Sequence, residues 1–462
     1  MQKFKEAIAE KMNGAEILCL VVILLTAAFL RFYGLPHIEF KSDEALNLLM
    51  GIDLVEGRKF PLVGLLSSVG TETPATFIYL ISLPLIFTRN PVYVSGFIAL
   101  ISVAAVYGCF LLARSMFNKR VGLISSALFA VNPWVLLYSR KIWHQDFLPF
   151  FTVGFFYSLY KGAIEEKYGY LLLASCFLAL ITQIHMSTIG FICIFLYILW
   201  SYKHKIPSKY FAASAALFGL LYVPYLIYDI QHNFINIKIL LNKGLQGLTF
   251  FPEALTIPFS LSTAVNFLEG TYIPKVDYVV VTFMVVSLIF VLANWKDVRY
   301  KLLACWFLIP MFFLATGRTA MYWDTPYSRF YYNYYIQYYP LIFLVTAIGI
   351  DALLTSADRQ SRKKGGFIIY SILLAVLVYF TTVSCRFDYM LGKSNNILWM
   401  GYGTPFSTRV EEIKEIMEQE RAKGSPAIDA GRVQFILNRE GKTYKYDFDA
   451  TYYIVKYLDR LS

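Results

Sequence analysis

The chain has 462 residues, of which 57% are hydrophobic and only 16% are charged. A soluble domain carries about a quarter charged residues, so the composition excludes a soluble enzyme. The formal net charge of +11 would suggest a nucleic-acid partner in a soluble chain, but in a membrane protein it can record topology instead.

Eleven apolar segments can form membrane-spanning helices, because roughly 20 residues cross a hydrocarbon core of about 30 Å. The first segment follows a basic start and lacks a small-residue cleavage site, which favours an uncleaved span over a signal peptide. The predicted spans are 17–36, 92–113, 121–138, 147–160, 168–184, 186–201, 210–228, 278–295, 302–316, 332–352 and 366–385.

Lys and Arg residues concentrate in alternate connections between these spans. With a cytoplasmic N-terminus, the connections rich in Lys and Arg become cytoplasmic. When the first external loop is counted from Arg31, no basic residue is left inside a span, in agreement with the positive-inside rule. We therefore predict a multi-pass protein of the cell (inner) membrane that contacts membrane lipids and binds no nucleic acid.

This topology leaves the segments 37–91, 139–146 and 229–277 on the external side of the membrane. Within the first of these loops, the apolar run 75–87 is short and broken by Pro84, which favours an interfacial or re-entrant helix over a twelfth span. A helix on the bilayer surface is also predicted just after Ser42, its expected N-cap. The transmembrane domain is predicted to cover 1–385.

The composition changes abruptly after residue 385, which predicts an extracytoplasmic C-terminal domain over 386–462. STRVEEIKEIMEQERAK has the apolar spacing of an amphipathic helix, whereas VQFILN and TYYIVKYL are typical of strands. The fold class predicted from the sequence is thus an all-α polytopic membrane protein with a small α/β extracytoplasmic C-terminal domain.

Acidic residues of the membrane half cluster in the predicted external loops. Asp43 and Glu44 fall in the first turn of the helix after Ser42, where the helix dipole favours ionised carboxylates. Asp146 lies in the very short second loop together with Arg140 and Lys141. A capped surface helix and interfacial anchoring by the two basic residues are the alternative, purely structural interpretations.

The first 200 residues resemble the GT-C class of membrane glycosyltransferases, in particular the protein O-mannosyltransferase and lipid A aminoarabinose transferase group. The likeness lies in the Asp-Glu pair after the first span, in Glu72-x-Pro74, in the stretch LLARSMFNKRVGLISSALFAVNPWVLLYSR and in the acidic second loop. It implies transfer of a sugar from a polyprenyl-phosphate carrier, on the outer face, to a hydroxyl of a lipid, glycan or protein acceptor.

The resemblance also implies roles for single residues. Asp43 matches the catalytic aspartate of the first loop, Asp146 the second-loop acid, and Glu72 the acidic residue before proline. Some relatives carry a lysine after that acidic residue that contacts the lipid phosphate. Here the position is Thr73, so other cations must compensate.

The chemistry of inverting transfer suits these residues. Because the anomeric carbon becomes oxocarbenium-like, a weak base such as Asp43, with Glu44 beside it, can accept the proton of the acceptor hydroxyl. The departing phosphate needs positive charge, for which Arg140, Arg318 and Arg329 are the candidates.

Tyrosines are dense in YSRFYYNYYIQYYP, 327–340, where a span begins on the predicted outer face. An aromatic belt explains them, and the alternative is a sugar and phosphate groove that includes Tyr334. His185, Glu72 and His232 could bind substrate hydroxyls or a divalent metal ion. No cofactor is certain.

Three other functions remain open at this point. A polytopic transporter or lipid flippase would also line a cavity with acids and arginines. A polymerase or ligase of a separate GT-C branch would place its active residues in 229–277. A non-catalytic assembly protein is the third.

Overall fold

The computed structural model describes residues 11–67, 70–245, 250, 252–264, 274–316, 332–359, 363–393, 404–423, 428–439 and 448–460. The helices in these ranges are α1 Gly14–Phe32, α2 Ser42–Val55, α3 Thr76–Leu85, α4 Pro91–Met116, α5 Lys119–Val131, α6 Pro133–Leu137, α7 Leu148–Leu159, α8 Gly169–Ile184, α9 Gly190–Ser201, α10 Ser208–Gln231, α11 Ile235–Leu245, α12 Ile257–Leu261, α13 Pro274–Ala293, α14 Val298–Thr316, α15 Tyr339–Arg359, α16 Lys363–Lys393, α17 Phe406–Ala422, α18 Ala430–Arg439 and α19 Phe448–Asp459. The strands β1 Val63–Leu66 and β2 Glu72–Pro74 pair antiparallel. Short 3-10 helices cover Leu35–His37, His144–Phe147, Met186–Thr188, Pro252–Thr256 and Tyr332–Tyr338, and a π-helix covers Tyr160–Ile164.

The all-α polytopic prediction is confirmed. Each of the eleven predicted spans falls on helix, and eight helical segments of the described ranges are long and apolar enough to cross a membrane. The predicted span 121–138 is broken into α5 and α6 at Asn132. The Asn132 side chain accepts a hydrogen bond from Val135 N–H at 3.2 Å, and Pro133 begins the second helix without needing an N–H.

Helix α5 packs at the centre of the bundle, against α1, α4 and α15. Its approach to α4 depends on Gly122, because a Cβ there would lie 2.9 Å from the Phe110 ring and 3.0 Å from the Phe110 carbonyl oxygen. Only a glycine lets the two helices pack this closely. The stretch that carries the family resemblance is therefore the scaffold that positions the loops at the helix ends.

One basic residue lies inside the first helix, contrary to the prediction that none would. Arg31 occupies the last turn of α1 and is fully buried. Its guanidinium donates to Ser102 Oγ at 2.9 Å and to the Ala130 carbonyl at 2.9 Å. Neutral acceptors on neighbouring helices, rather than an acid, hold this cation away from lipid.

The first loop contains α2, the β1–β2 pair and α3. Helix α2 begins at Ser42, but the N-cap is Lys41 rather than Ser42. Helix α3 has ten residues, about 15 Å at 1.5 Å per residue, which is too short to cross the bilayer core. It packs on α2, in agreement with an interfacial helix.

Both predicted strands of the C-terminal region lie in helices, so these two predictions are wrong. VQFILN lies within α18 and TYYIVKYL within α19. Val433, Ile436 and Leu437 are buried together on one face of α18, because their spacing is helical even though the residue types favour strands. The one sheet of the described residues lies instead in the first loop.

The C-terminal helices dock on the first loop. Phe406 N–H donates to the Ile38 carbonyl at 2.8 Å. The Phe40 ring packs against those of Phe406, 5.1 Å away, and Tyr453, 5.3 Å away. The predicted boundary at residue 385 falls inside α16, which continues to Lys393.

Candidate active site

A buried ionic cluster joins the first and second loops. Glu39, in the first loop, is 1% exposed and pairs with Lys141 of the second loop through one carboxylate oxygen and with Lys41 through the other. The Lys141 ammonium also lies 4.6 Å from the centre of the Trp143 ring. Two loops separated by about a hundred residues are thus held together by one carboxylate.

Each of the two lysines also fixes a second acid with its main chain. Lys141 N–H donates to Asp146 Oδ2 at 3.1 Å, and Lys41 N–H donates to Glu44 Oε2 at 2.9 Å. Asp146 and Glu44 are each 1% exposed. The lysines therefore position Glu44 and Asp146 on either side of Glu39.

Asp43 lies at the solvent edge of this cluster. It occupies the first turn of α2 and is exposed. Lys41, Glu39 and Asp449 of the C-terminal segment act on it electrostatically. Glu39 also acts electrostatically on Asp146. The two acids that the sequence assigns to one site, Asp43 and Asp146, are thus both within electrostatic range of Glu39.

The loop residues of this cluster differ in their tendency to ionise. Burial acts to raise the pKa of Glu39, but Lys141 and Lys41 outweigh it and hold that pKa below its ordinary value. Burial and the Glu39 charge raise the pKa of Glu44 to about 7. Loss of hydration also raises the pKa of Asp43, although its residue surface is exposed, while Lys41 acts to lower it. Glu39 is therefore the ionised centre, and Glu44 titrates near neutrality.

Sequence reasoning missed Glu39 and misjudged Lys141. Lys141 is 5% exposed and ion-paired, so the interpretation as an interfacial anchor is wrong. A useful signal was present, because a loop of eight residues with several charges must bury or pair some of them. The sequence could not identify which acid of the long first loop was the partner.

Arg140, a predicted phosphate ligand, is engaged elsewhere. Its guanidinium is 1% exposed and pairs with Asp388 of α16, and it donates to the Tyr33 carbonyl at 2.8 Å. The pair holds the second loop against the last long helix. The role of Arg140 in the structure is therefore a bond between loop and helix, which leaves it poorly placed to grip a phosphate.

Glu72 is half-buried on β2 and held through its main chain. Glu72 N–H donates to Asn236 Oδ1 at 2.9 Å, and Tyr225 OH donates to the Glu72 carbonyl at 3.3 Å. Partial burial raises the pKa of the Glu72 carboxyl, and the nearby His232 opposes that shift. Glu72 therefore lies beside the first residues of the third predicted loop.

The proposed metal ligands do not form one group. The His185 ring lies 5.8 Å from that of His144 and 4.7 Å from that of Tyr334, whereas His232 stacks on Tyr228 at 3.9 Å. Within the described ranges, no three His, Cys, Asp or Glu residues come together as a metal site. His185, Glu72 and His232 are therefore not assembled as a metal-binding trio.

The remaining predicted residues divide into two groups. Tyr334 lies on the 3-10 helix Tyr332–Tyr338, which packs against the 3-10 helix His144–Phe147 that carries Asp146. Arg318 and Arg329 lie outside the described residues.

Comparison with known proteins agrees with this architecture. Residues 72–228 match the family model described as dolichyl-phosphate-mannose-protein mannosyltransferase. The structure of ArnT from Cupriavidus metallidurans bound to undecaprenyl phosphate aligns with a TM-score of 0.60 at 10% identity, over 91% of this chain and 82% of ArnT. The Archaeoglobus fulgidus oligosaccharyltransferase in complex with Zn and sulfate aligns with a TM-score of 0.51 at 12% identity, over 87% of this chain.

The chain spans only 55% of that oligosaccharyltransferase, and a search of curated protein sequences finds no match. The fold is that of the GT-C class of membrane glycosyltransferases, and the resemblance inferred from the first 200 residues is confirmed. The family match covers less than half of the chain, from Glu72 in the first loop to Tyr228 in α10.

Proposed function

We propose that this protein transfers a hexosyl or pentosyl group from a polyprenyl-phosphate donor to an acceptor hydroxyl at the outer face of the membrane. The observation that carries the proposal is the cluster around Glu39, which brings acids from two loops to one end of the helical bundle. A GT-C fold and a family pattern named for a dolichyl-phosphate-mannose donor support this class of reaction.

Asp43 is the proposed general base. It is the acid of the cluster that is exposed, so an acceptor can reach it, and the raised pKa of its carboxyl makes it a better proton acceptor than a fully hydrated aspartate. Asp43 takes the proton as the acceptor oxygen bonds to the anomeric carbon. The bond from that carbon to the phosphate oxygen breaks, its electron pair leaves with the carrier phosphate, and the configuration inverts.

The other acids have supporting roles. Asp146, fixed by Lys141 N–H, orients donor or acceptor hydroxyls, and Glu44, held by Lys41 N–H, supports the first turn beside Asp43. Phosphate charge is balanced by Lys41, whose side chain is 40% exposed, and by Arg318 and Arg329. Glu72 contributes to donor binding from β2.

The test uses the purified protein in lipid nanodiscs with undecaprenyl phosphate carrying mannose or glucose, and measures bare undecaprenyl phosphate released in the presence of membrane lipid and peptide acceptors. Asp43→Asn should lower the rate by about 100-fold to 10,000-fold, the usual contribution of a general base. Asp53→Asn is the matched control, since Asp53 lies on the same helix and is paired with Arg58. Release at the parental rate by Asp43→Asn would refute Asp43 as the base.

A further inference from the structure

The contact between two 3-10 helices gathers buried polar atoms without partners. The helices His144–Phe147 and Tyr332–Tyr338 pack against each other. The His185 ring lies between them, stacked on His144 and tilted against Tyr334. On these helices, both amide atoms of Gln337, the Tyr335 hydroxyl, Gln145 Oε1 and Asp146 Oδ1 are buried and have no hydrogen-bond partner. The four residues are between 0% and 3% exposed.

Such a concentration is costly for the protein alone. A buried polar group left without a partner destabilises the folded protein, and native structures hold few such groups. A buried hydroxyl on the helix Tyr332–Tyr338 can find a hydrogen-bond partner within the protein. Tyr338 OH donates to the Phe307 carbonyl at 3.2 Å. The unpartnered groups therefore point to a ligand that supplies their hydrogen bonds.

We infer that Gln337, Tyr335, Gln145 and Asp146 form a subsite for the hydroxyl groups of the donor sugar, an inference that rests on the proposed function. An amide and a phenol each donate and accept, whereas the Gln145 oxygen and the Asp146 carboxylate accept. A sugar ring presents neighbouring hydroxyls that do both. The acceptor-rich set disfavours a phosphate, so the carrier's charged group lies elsewhere.

The position of the subsite suits this role. Asp146 uses its other oxygen, Oδ2, to accept from Lys141 N–H, so the subsite begins where the Glu39 cluster ends. A sugar held by Gln337 and Asp146 lies next to the acids of the first loop. Gln337 is then a residue that selects for the sugar, separate from the proposed base.

The experiment compares binding of undecaprenyl phosphate with binding of undecaprenyl phosphate that carries mannose or glucose, by the intact protein in nanodiscs. Of the two sugar-bearing carriers, the one that the parent protein prefers is used for the comparison. Gln337→Met should lower the affinity for it about 10-fold, the size of one or two lost hydrogen bonds. Binding of the bare carrier should be unchanged. Tyr335→Phe should act in the same direction with a smaller loss.

Thermal unfolding without ligand provides the second measurement. Gln337→Met and Tyr335→Phe should leave the midpoint unchanged or raise it, since they remove buried groups that have no partner. Tyr338→Phe, the matched control, should lower the midpoint and leave both affinities unchanged, because its hydroxyl is already bonded to Phe307.

Two results would overturn the inference. One is a Gln337→Met variant that keeps the parental preference for the sugar-bearing carrier, or whose affinity falls equally for the bare and the sugar-bearing carrier. The other is a fall in its midpoint equal to that of Tyr338→Phe, which would mark the amide as a structural group. A parent protein that shows no preference for a sugar-bearing carrier would count against the proposed function itself, whatever Gln337→Met does.

Discussion

The two ends of the helical bundle carry similar charged residues and hold them differently. At the end formed by the first and second loops, Glu39, Lys141 and Asp146 are buried and bonded across distant parts of the chain. At the opposite end, pairs such as Lys205 with Glu166, 57% and 49% exposed, lie at the surface between helix connections.

The difference suggests separate roles for the charged residues at the two ends. Burying several charges costs solvation free energy that only well-formed pairs offset, so the buried end requires a purpose other than solubility. Exposed pairs contribute little and mainly accompany the basic residues that set topology. This difference supports the proposal that the reaction takes place at the first-loop end.

The largest expected effect on stability comes from Lys141. Lys141→Met leaves Glu39 without its buried partner and should destabilise the protein by about 3–5 kcal/mol. Transfer should also fall about 100-fold, because the two loops lose their common tie and the acids are misplaced. Thermal unfolding in detergent and donor turnover check the two effects.

The double variant Glu39→Gln/Lys141→Met serves as its control. Replacing both partners removes the unpaired buried charge, so most of the thermal stability should return, while transfer stays low. If Lys141→Met alone left both stability and turnover unchanged, Lys141 would be a surface anchor and the comparison between the two ends would fail.

The pH dependence of stability tests the buried end of the bundle further, with an effect smaller than that of Lys141→Met. The pKa of Glu44 is raised from 4.5 to about 7 in the folded protein, so its contribution to stability is fully present below about pH 4.5 and is lost as the pH rises through 7. Glu44→Gln should flatten this part of the profile. Thermal midpoints between pH 5 and 8 measure it.

Glu56→Gln is the matched control for this prediction, since Glu56 is an exposed carboxylate at the end of the same helix. It should keep the parental decline between pH 5 and 8. An equal slope in the parent and in Glu44→Gln would mean that Glu44 does not titrate in this range.

The smallest effect is expected at the opposite end. Lys205→Gln breaks the exposed pair with Glu166 and should change neither thermal midpoint nor turnover beyond experimental error. Repeating both measurements at high salt should not separate this variant from the parent. A loss comparable to that of Lys141→Met would show that the two ends do not differ in the way described.

The sequence predicted the helices better than the contacts between loops. The spans could be found because each needs about 20 apolar residues, and Asp43, Glu44 and Asp146 stood out as charges in short segments between them. The pairing of Glu39 with Lys141 could not be found, because it joins loops that only the packing of α4, α5 and α7 brings together.

Two other differences have equally local causes. The β-branched and aromatic residues of α18 and α19 favoured strands, yet their helical spacing and the apolar surface around Phe40 decided the outcome. Arg140 was assigned to phosphate because it is an arginine on the predicted outer side, and the sequence did not reveal its buried pairing with Asp388. In both cases a tertiary contact overrode a local signal.

The central claim is that Asp43 and Asp146 serve one site, and a double-variant cycle on sugar transfer tests it most directly. Asp43→Asn and Asp146→Asn should each lower turnover by about 100-fold or more. Substitutions of residues that act together have strongly non-additive effects on rate. The turnover of the double variant should therefore be within about 10-fold of that of the less active single variant. A double variant whose loss equals the product of the two single losses would contradict the claim.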